Sequence, residues 1–221
     1  MKSSLTVPLA IGLGGAVVAA AVYLSMPKNP SADAGNSALL RPVGAGDHIL
    51  GNPAARVVIV EYSDFDCAFC KDFHETLHQI IASEGADGDV AWVFRQFPLT
   101  EIHPNALSHA RAAECAAETG GNDAFWRFSD ILFKNQPAAS TKYGEFANAA
   151  GIPGDAFAAC FSNAAAVVDE RIYADRRNAL DIGAPGTPYS LILVAGEAPI
   201  VVKGAPPYDA VKLLIDEALA N

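Results

Sequence analysis

The sequence predicts an α/β domain: a sheet covered by helices, interrupted by an all-helical insertion and preceded by an apolar N-terminal helix. Three observations predict it. First, Val57-Val58-Ile59-Val60-Glu61-Tyr62-Ser63 is a β-branched run of the kind buried on both faces of a covered sheet, and a helical pattern and a second strand at Val90-Ala91-Trp92-Val93-Phe94 follow it. That strand–helix–strand order implies parallel pairing. Second, every periodic stretch from His103 to about Ile182 is helical. Third, Tyr189–Val194 and Ala198–Lys203 flank a turn at Gly196-Glu197 as a hairpin, and Pro207 to Leu219 closes the chain as an amphipathic helix.

Residues Leu5 to Met26 carry no charged side chain and follow Lys2. An apolar run of about 18 or more residues can span a bilayer, and a secretory signal has a similar plan. Residues 1–26 are therefore read as a transmembrane anchor or a cleaved signal, and both readings send the rest of the chain across the membrane. Pro27 to Gly46 is rich in Pro, Ser, Asn, Ala and Gly and reads as a flexible linker. Residues 47–221 remain as one domain with a full core, its helical insertion at about 100–182. The net charge of −10 and the lack of a basic patch leave nucleic-acid binding without electrostatic support.

In the first helical segment, Phe69, Phe73, Leu77 and Ile80 or Ile81 recur at spacings of three and four until Gly85 and Gly88 break the pattern. The segment opens with Cys67-Ala68-Phe69-Cys70. A cysteine at a helix N-terminus meets unpaired N–H groups and the positive end of the macrodipole, which stabilise a thiolate. The thiolate is the attacking species in disulfide exchange and a good leaving group. Cys67 is thus expected as an exposed nucleophile, and Cys70, one turn on, as the more buried resolving thiol. A structural disulfide and half of a zinc site are the other readings of the pair. Zinc prefers four ligands, often two close pairs, and Cys115 and Cys160 do not form a second one. His74 reads as a surface or packing residue. No H-E-x-x-H motif, Walker loop or G-x-S-x-G is read in the chain, and no cofactor or metal is expected.

Glu61 lies in the middle of an apolar strand, six residues before Cys67. Buried beneath the helix start it would hold its proton and could relay protons to a dithiol; pointing to solvent it would do neither. Pro188 stands directly before a strand, where it removes no needed ladder bond.

The chain resembles the DsbA-like branch of the thioredoxin superfamily. The resemblance rests on Gly51-Asn52-Pro53, Val58 through Lys71, Phe94-Arg95-Gln96-Phe97-Pro98-Leu99, Ala110 through Cys115, and Gly183-Ala184-Pro185-Gly186-Thr187-Pro188. It implies a thioredoxin-like fold with a helical insertion and a Cys-x-x-Cys active site. It further implies a buried acid at Glu61, a cis proline at Pro188, and Thr187 beside the sulfurs with its backbone free to pair with substrate. It also implies exported protein substrates and reoxidation by a quinone-linked, DsbB-like membrane protein, in the periplasm or another extracytoplasmic space. Ala68-Phe69 departs from the Pro-His of the best-known oxidases, and Thr187 is shared with isomerase and reductase relatives. Isomerase relatives usually carry an N-terminal dimerisation domain where this chain reads as an anchor and linker, so an oxidase is expected. Many DsbA-like proteins carry a structural disulfide in the insertion, which implies a Cys115–Cys160 link, stabilising by roughly 3–4 kcal/mol in the chain-entropy model; a second redox pair is the alternative. His103-Pro104-Asn105 reads as a helix start with cap-like roles for Pro104 and Asn105.

Overall fold

The computed structural model describes residues 36–163 and 165–220. The anchor or signal expected at 1–26 lies outside them. Five strands form one sheet: β1 (His48–Gly51), β2 (Val57–Ser63), β3 (Val90–Gln96), β4 (Tyr189–Val194) and β5 (Ile200–Lys203), in the order β1-β3-β2-β4-β5. β2 and β3 run parallel, with Ile59 opposite Trp92 and Glu61 opposite Phe94. β4 is antiparallel to β2 and forms a hairpin with β5. β1, at the edge and antiparallel to β3, has no counterpart among the expected strands. Its four residues are too few for a period-two pattern to register. Gly51 ends it with φ +99°, where a Cβ would stand 2.9 Å from the Val90 carbonyl oxygen.

Among the described residues six α-helices accompany the sheet: α1 (Ala68–Glu84), α2 (Ala106–Lys134), α3 (Tyr143–Ala149), α4 (Gly154–Asn163), α5 (Ala165–Asp181) and α6 (Tyr208–Ala220). Helices α2 to α5 are the insertion, consecutive in the chain between β3 and β4. Gly121, at φ 77° and ψ −172°, interrupts α2 where the sequence pattern breaks.

Alternation along β2 divides the core. Val57 and Ile59 join Phe73, Leu77 and Ile80 of α1, Val211 and Ile215 of α6, and the aromatics Phe125, Phe128 and Phe133 of α2. Val60 and Tyr62 face the other way, toward Ala179 of α5, Ile182 and Ala184. Glu61 therefore points to the α1 side, beneath the helix that carries the cysteines.

Composition reads a free linker as far as Gly46, and the structure corrects this for residues 36–46. The Asn36 N–H donates to the Ile182 carbonyl, and the Asn178 amide donates to Leu39 O at 2.7 Å. Arg41 pairs with Asp47 and Asp175 at 2.9 and 2.6 Å. Leu40 and Val43 pack on the second core. Small and polar residues signal a loop, and only these partners turn it into a docked strap.

Candidate active site

Polar residues at the C-terminal end of β2 build the turn into α1. Asp64, 1% exposed, accepts the Asp66 N–H at 2.8 Å with one carboxylate oxygen. With the other it takes the Leu99 N–H and His103 Nδ1, both at 2.8 Å. The Asp64 carbonyl accepts the Cys67 N–H, and the Asp64 N–H points at Cys70 Sγ, 3.5 Å away. Cys67 is thereby the N-cap residue of α1, with extended backbone, and Cys70 is inside the first turn.

Both cysteines are free thiols. Cys70 is fully buried, and Cys67 is only 5% exposed. The expectation of an exposed Cys67 is corrected here: its sulfur packs against the loop before β4, where the Thr187 carbonyl lies 3.6 Å away. The Thr187–Pro188 peptide bond is cis. Exposure at the dithiol belongs instead to Phe69, 67% exposed between the two cysteines.

The two thiols differ electrostatically. The Cys67 pKa is lowered to about 6, first by the Cys70 thiol as a hydrogen-bond partner, against the opposing effect of burial, and then by the Cys70 and Phe69 amides and the Thr187 hydroxyl. Those amides are the unpaired N–H groups of the helix start. The Thr187 hydroxyl is buried without a hydrogen-bond partner among the described residues, so a donor is free to turn to the sulfur when it ionises. Burial pushes the Cys70 thiol well above its ordinary value, and the negative charges of Cys67 and Glu61 add to that.

Glu61 is fully buried and accepts the Trp92 indole N–H at 2.9 Å. Burial raises its pKa to about 8, outweighing the favourable Ser63 and Trp92 contacts, and the charge of Cys67 raises it further. Its second oxygen has no hydrogen-bond partner among the described residues. The structure thus brings Cys67, Cys70, Glu61, Thr187 and Pro188 to one place.

His103 and Asp64 also belong to this place. Burial opposes protonation of His103, but the Asp64 hydrogen bond and charge, and then the Cys67 charge, raise its pKa overall. Sequence reasoning gave His103-Pro104-Asn105 a capping role. The structure makes Asn105 the residue preceding α2 but gives it no side-chain capping bond. Asp64 carries no sequence signal beyond its place in a polar turn.

Cys115 and Cys160 form a disulfide between α2 and α4, with Cα atoms 5.6 Å apart. His74, expected as a surface or packing residue, is 4% exposed and bonded to Asp130. No H-E-x-x-H motif was expected, and the run His74-Glu75-Thr76-Leu77-His78 corrects this: its spacing sets two imidazoles on one helix face.

A sheet of this topology with a Cys-x-x-Cys opening its first long helix defines the class of thiol–disulfide oxidoreductases. The chain belongs to the family described as Thioredoxin, whose model matches residues 44–197, and within it to the DsbA-like proteins. Pseudomonas aeruginosa DsbA2 has 28% sequence identity to it with a TM-score of 0.63, covering 80% of this chain and 96% of that one. Wolbachia pipientis alpha-DsbA1 shares the fold at a TM-score of 0.70 and 21% identity, covering 82% and 94%. Among curated proteins, a Na(+)/H(+) antiporter NhaA 1 of Mycolicibacterium gilvum is 37% identical over 129 residues, which is 58% of this chain but 19% of the antiporter. The chain thus spans less than a fifth of the length of the first curated relatives it matches.

Proposed function

We propose that the chain oxidises exported proteins through the Cys67–Cys70 couple, cycling between disulfide and dithiol. The observation that carries this reading is the opposed pair of thiols, Cys67 near pKa 6 and Cys70 far above its ordinary value. A substrate thiolate attacks Cys67 Sγ of the oxidised protein. The Cys67–Cys70 bond breaks, a substrate–Cys67 bond forms, and the Cys70 thiolate leaves. At its raised pKa Cys70 takes up a proton, and the carboxyl of Glu61, protonated at neutral pH, is the nearby donor. A second substrate thiolate then attacks the substrate's own sulfur in the mixed disulfide and expels Cys67 as a stabilised thiolate. Two electrons pass from the substrate dithiol to the protein.

Direction follows from the leaving group. A stabilised Cys67 thiolate favours the reduced protein, which makes the couple oxidising. The Thr187 backbone next to Cys67 supports pairing with an extended substrate segment, and Phe69 offers it apolar surface. The cycle needs an oxidant; the DsbA-like resemblance supplies a quinone-linked membrane protein in that role and an extracytoplasmic setting. Among the described residues no helix is long and apolar enough to cross a membrane, and the anchor or signal proposed at 1–26 lies outside them. Ion transport is not carried over from the antiporters, given the small share of their length that is matched.

The test joins two variants with one potential. Cys67→Ser abolishes exchange, and Cys70→Ser accumulates a substrate adduct on Cys67. The reduction potential of the couple lies above that of thioredoxin, about −270 mV. Full activity of Cys67→Ser removes the site, and a potential at or below thioredoxin's turns the reading to a reductase.

A further inference from the structure

Helix α1 holds a second constellation one turn beyond the dithiol. His74 and His78 are four residues apart and so share a helix face. Their Nε2 atoms lie 3.1 Å from each other and each 2.8 Å from the same oxygen, Oδ1 of Asp130 on α2. The His74 ring is fixed among aromatics, its centroid 4.5 Å from that of Phe133 and 5.0 Å from that of Trp92, while His78 stands edge-on to Trp92 at 5.3 Å. The other three histidines of the five in the chain are engaged elsewhere: His48 with Glu114, His103 with Asp64, and His109 with Tyr143.

Three donor atoms converging on one point, with both imidazoles aimed at a single oxygen, is more than packing needs. From this geometry we infer that His74, His78 and Asp130 form a binding site for a divalent zinc ion. Two imidazole nitrogens and one carboxylate oxygen are donors that zinc takes, whereas calcium and magnesium take oxygen. Ligand atoms about 2.0–2.1 Å from a tetrahedral zinc stand roughly 3.3 Å apart. The observed triangle is a few tenths of an ångström tighter and opens to that size when an ion replaces the hydrogens now shared within it. His78 and Asp130 have side-chain exposures of 35% and 47%, so the fourth position opens to solvent, for a water or a partner's ligand. The ion would join α1, which carries the dithiol, to α2 of the insertion. Ligands four residues apart on a helix plus one from a second helix also explain the H-E-x-x-H spacing without appeal to the redox chemistry, and the inference does not rest on that chemistry.

The experiment uses the full, untagged chain with Cys67 and Cys70 oxidised to the disulfide, so that no thiolate competes for metal. After treatment with a chelator, the protein is titrated with zinc chloride by calorimetry and with cobalt(II) by absorption. One equivalent of zinc binds, cobalt gives a tetrahedral visible spectrum, and zinc raises the melting temperature with the logarithm of its free concentration above the dissociation constant. His78→Gln and Asp130→Asn, at partly exposed positions, keep the parent circular dichroism spectrum and its disulfide exchange but do not bind at zinc concentrations that saturate the parent. Absence of zinc binding by the parent at micromolar concentrations overturns the inference. So does undiminished binding by both variants.

Discussion

The sulfur of Cys67 stands 3.6 Å from the carbonyl oxygen of Thr187, a residue 120 positions further along the chain. This contact joins the start of α1 to the loop before β4 and brings Thr187, whose side chain adds to the lowering of the Cys67 pKa begun by Cys70, against the sulfur.

The acidity of Cys67 is directly measurable. Alkylation of the reduced protein should rise through a midpoint near pH 6, the value to which Cys67 is lowered. Because the folded pKa lies below the ordinary 9, ionisation stabilises the reduced fold above pH 9, and that contribution is lost as the pH falls through 6. Thr187→Val removes one donor to the thiolate and should raise the midpoint by about one unit, the size of one hydrogen bond to a charged group. An unchanged midpoint would mean that the hydroxyl does not reach the sulfur.

For Glu61 the sign is opposite. Its folded pKa, about 8, lies above the ordinary 4.5, so its contribution is complete below pH 4.5 and lost as the pH rises through 8. Glu61→Gln keeps an acceptor for the Trp92 indole but cannot ionise. Urea unfolding should find the variant as stable as the parent at pH 4 and more stable at pH 8, by an amount on the order of a few kcal/mol. Disulfide exchange should slow if the carboxyl supplies the proton to Cys70.

Removing the Cys115–Cys160 link should cost stability without touching the dithiol. The two cysteines are 45 residues apart, a closed loop worth about 4 kcal/mol in the chain-entropy model. The double variant Cys115→Ala/Cys160→Ala should unfold at correspondingly lower urea while keeping the Cys67 alkylation midpoint. A shift in that midpoint would tie the second pair to the redox site.

Gly121 tests the interruption in α2. A Cβ there meets nothing within 4 Å, yet φ is +77°. Gly121→Ala should therefore destabilise by conformation alone, roughly 1–3 kcal/mol, since φ 77° with ψ −172° is a region held almost only by glycine, with no change in exchange activity. A loss much larger than this would point to a steric contact instead.

Much of the scaffold was legible because it depends on local pattern. The β-branched run at 57–63 appears as β2, the three-and-four spacing from Phe69 to Ile80 as α1, and the breaks at glycine and proline separate the helices of the insertion. β1 escaped because four residues carry too little periodicity, and the strap at 36–46 escaped because its ion pair with Asp175 and its hydrogen bond from Asn178 reach residues more than a hundred positions away. His74 packs among aromatics, as one of its two expected readings had it, but its shared carboxylate was not legible for a related reason. Its spacing from His78 was visible in the sequence, but Asp130, which gives the pair its meaning, comes from another helix.

By itself the sequence determined which residues the proposed chemistry draws on: two cysteines one helical turn apart, an acid inside an apolar strand, and a proline at the head of another. These follow from covalent order and from periods of two and 3.6 residues. The tertiary structure alone decided that Cys67 is covered rather than open, that Asp64 holds His103 beside it, and that two imidazoles share one carboxylate oxygen. Charge and desolvation act through space over a few ångströms, and distances of that size between residues far apart in the chain are set only by how the helices pack on the sheet.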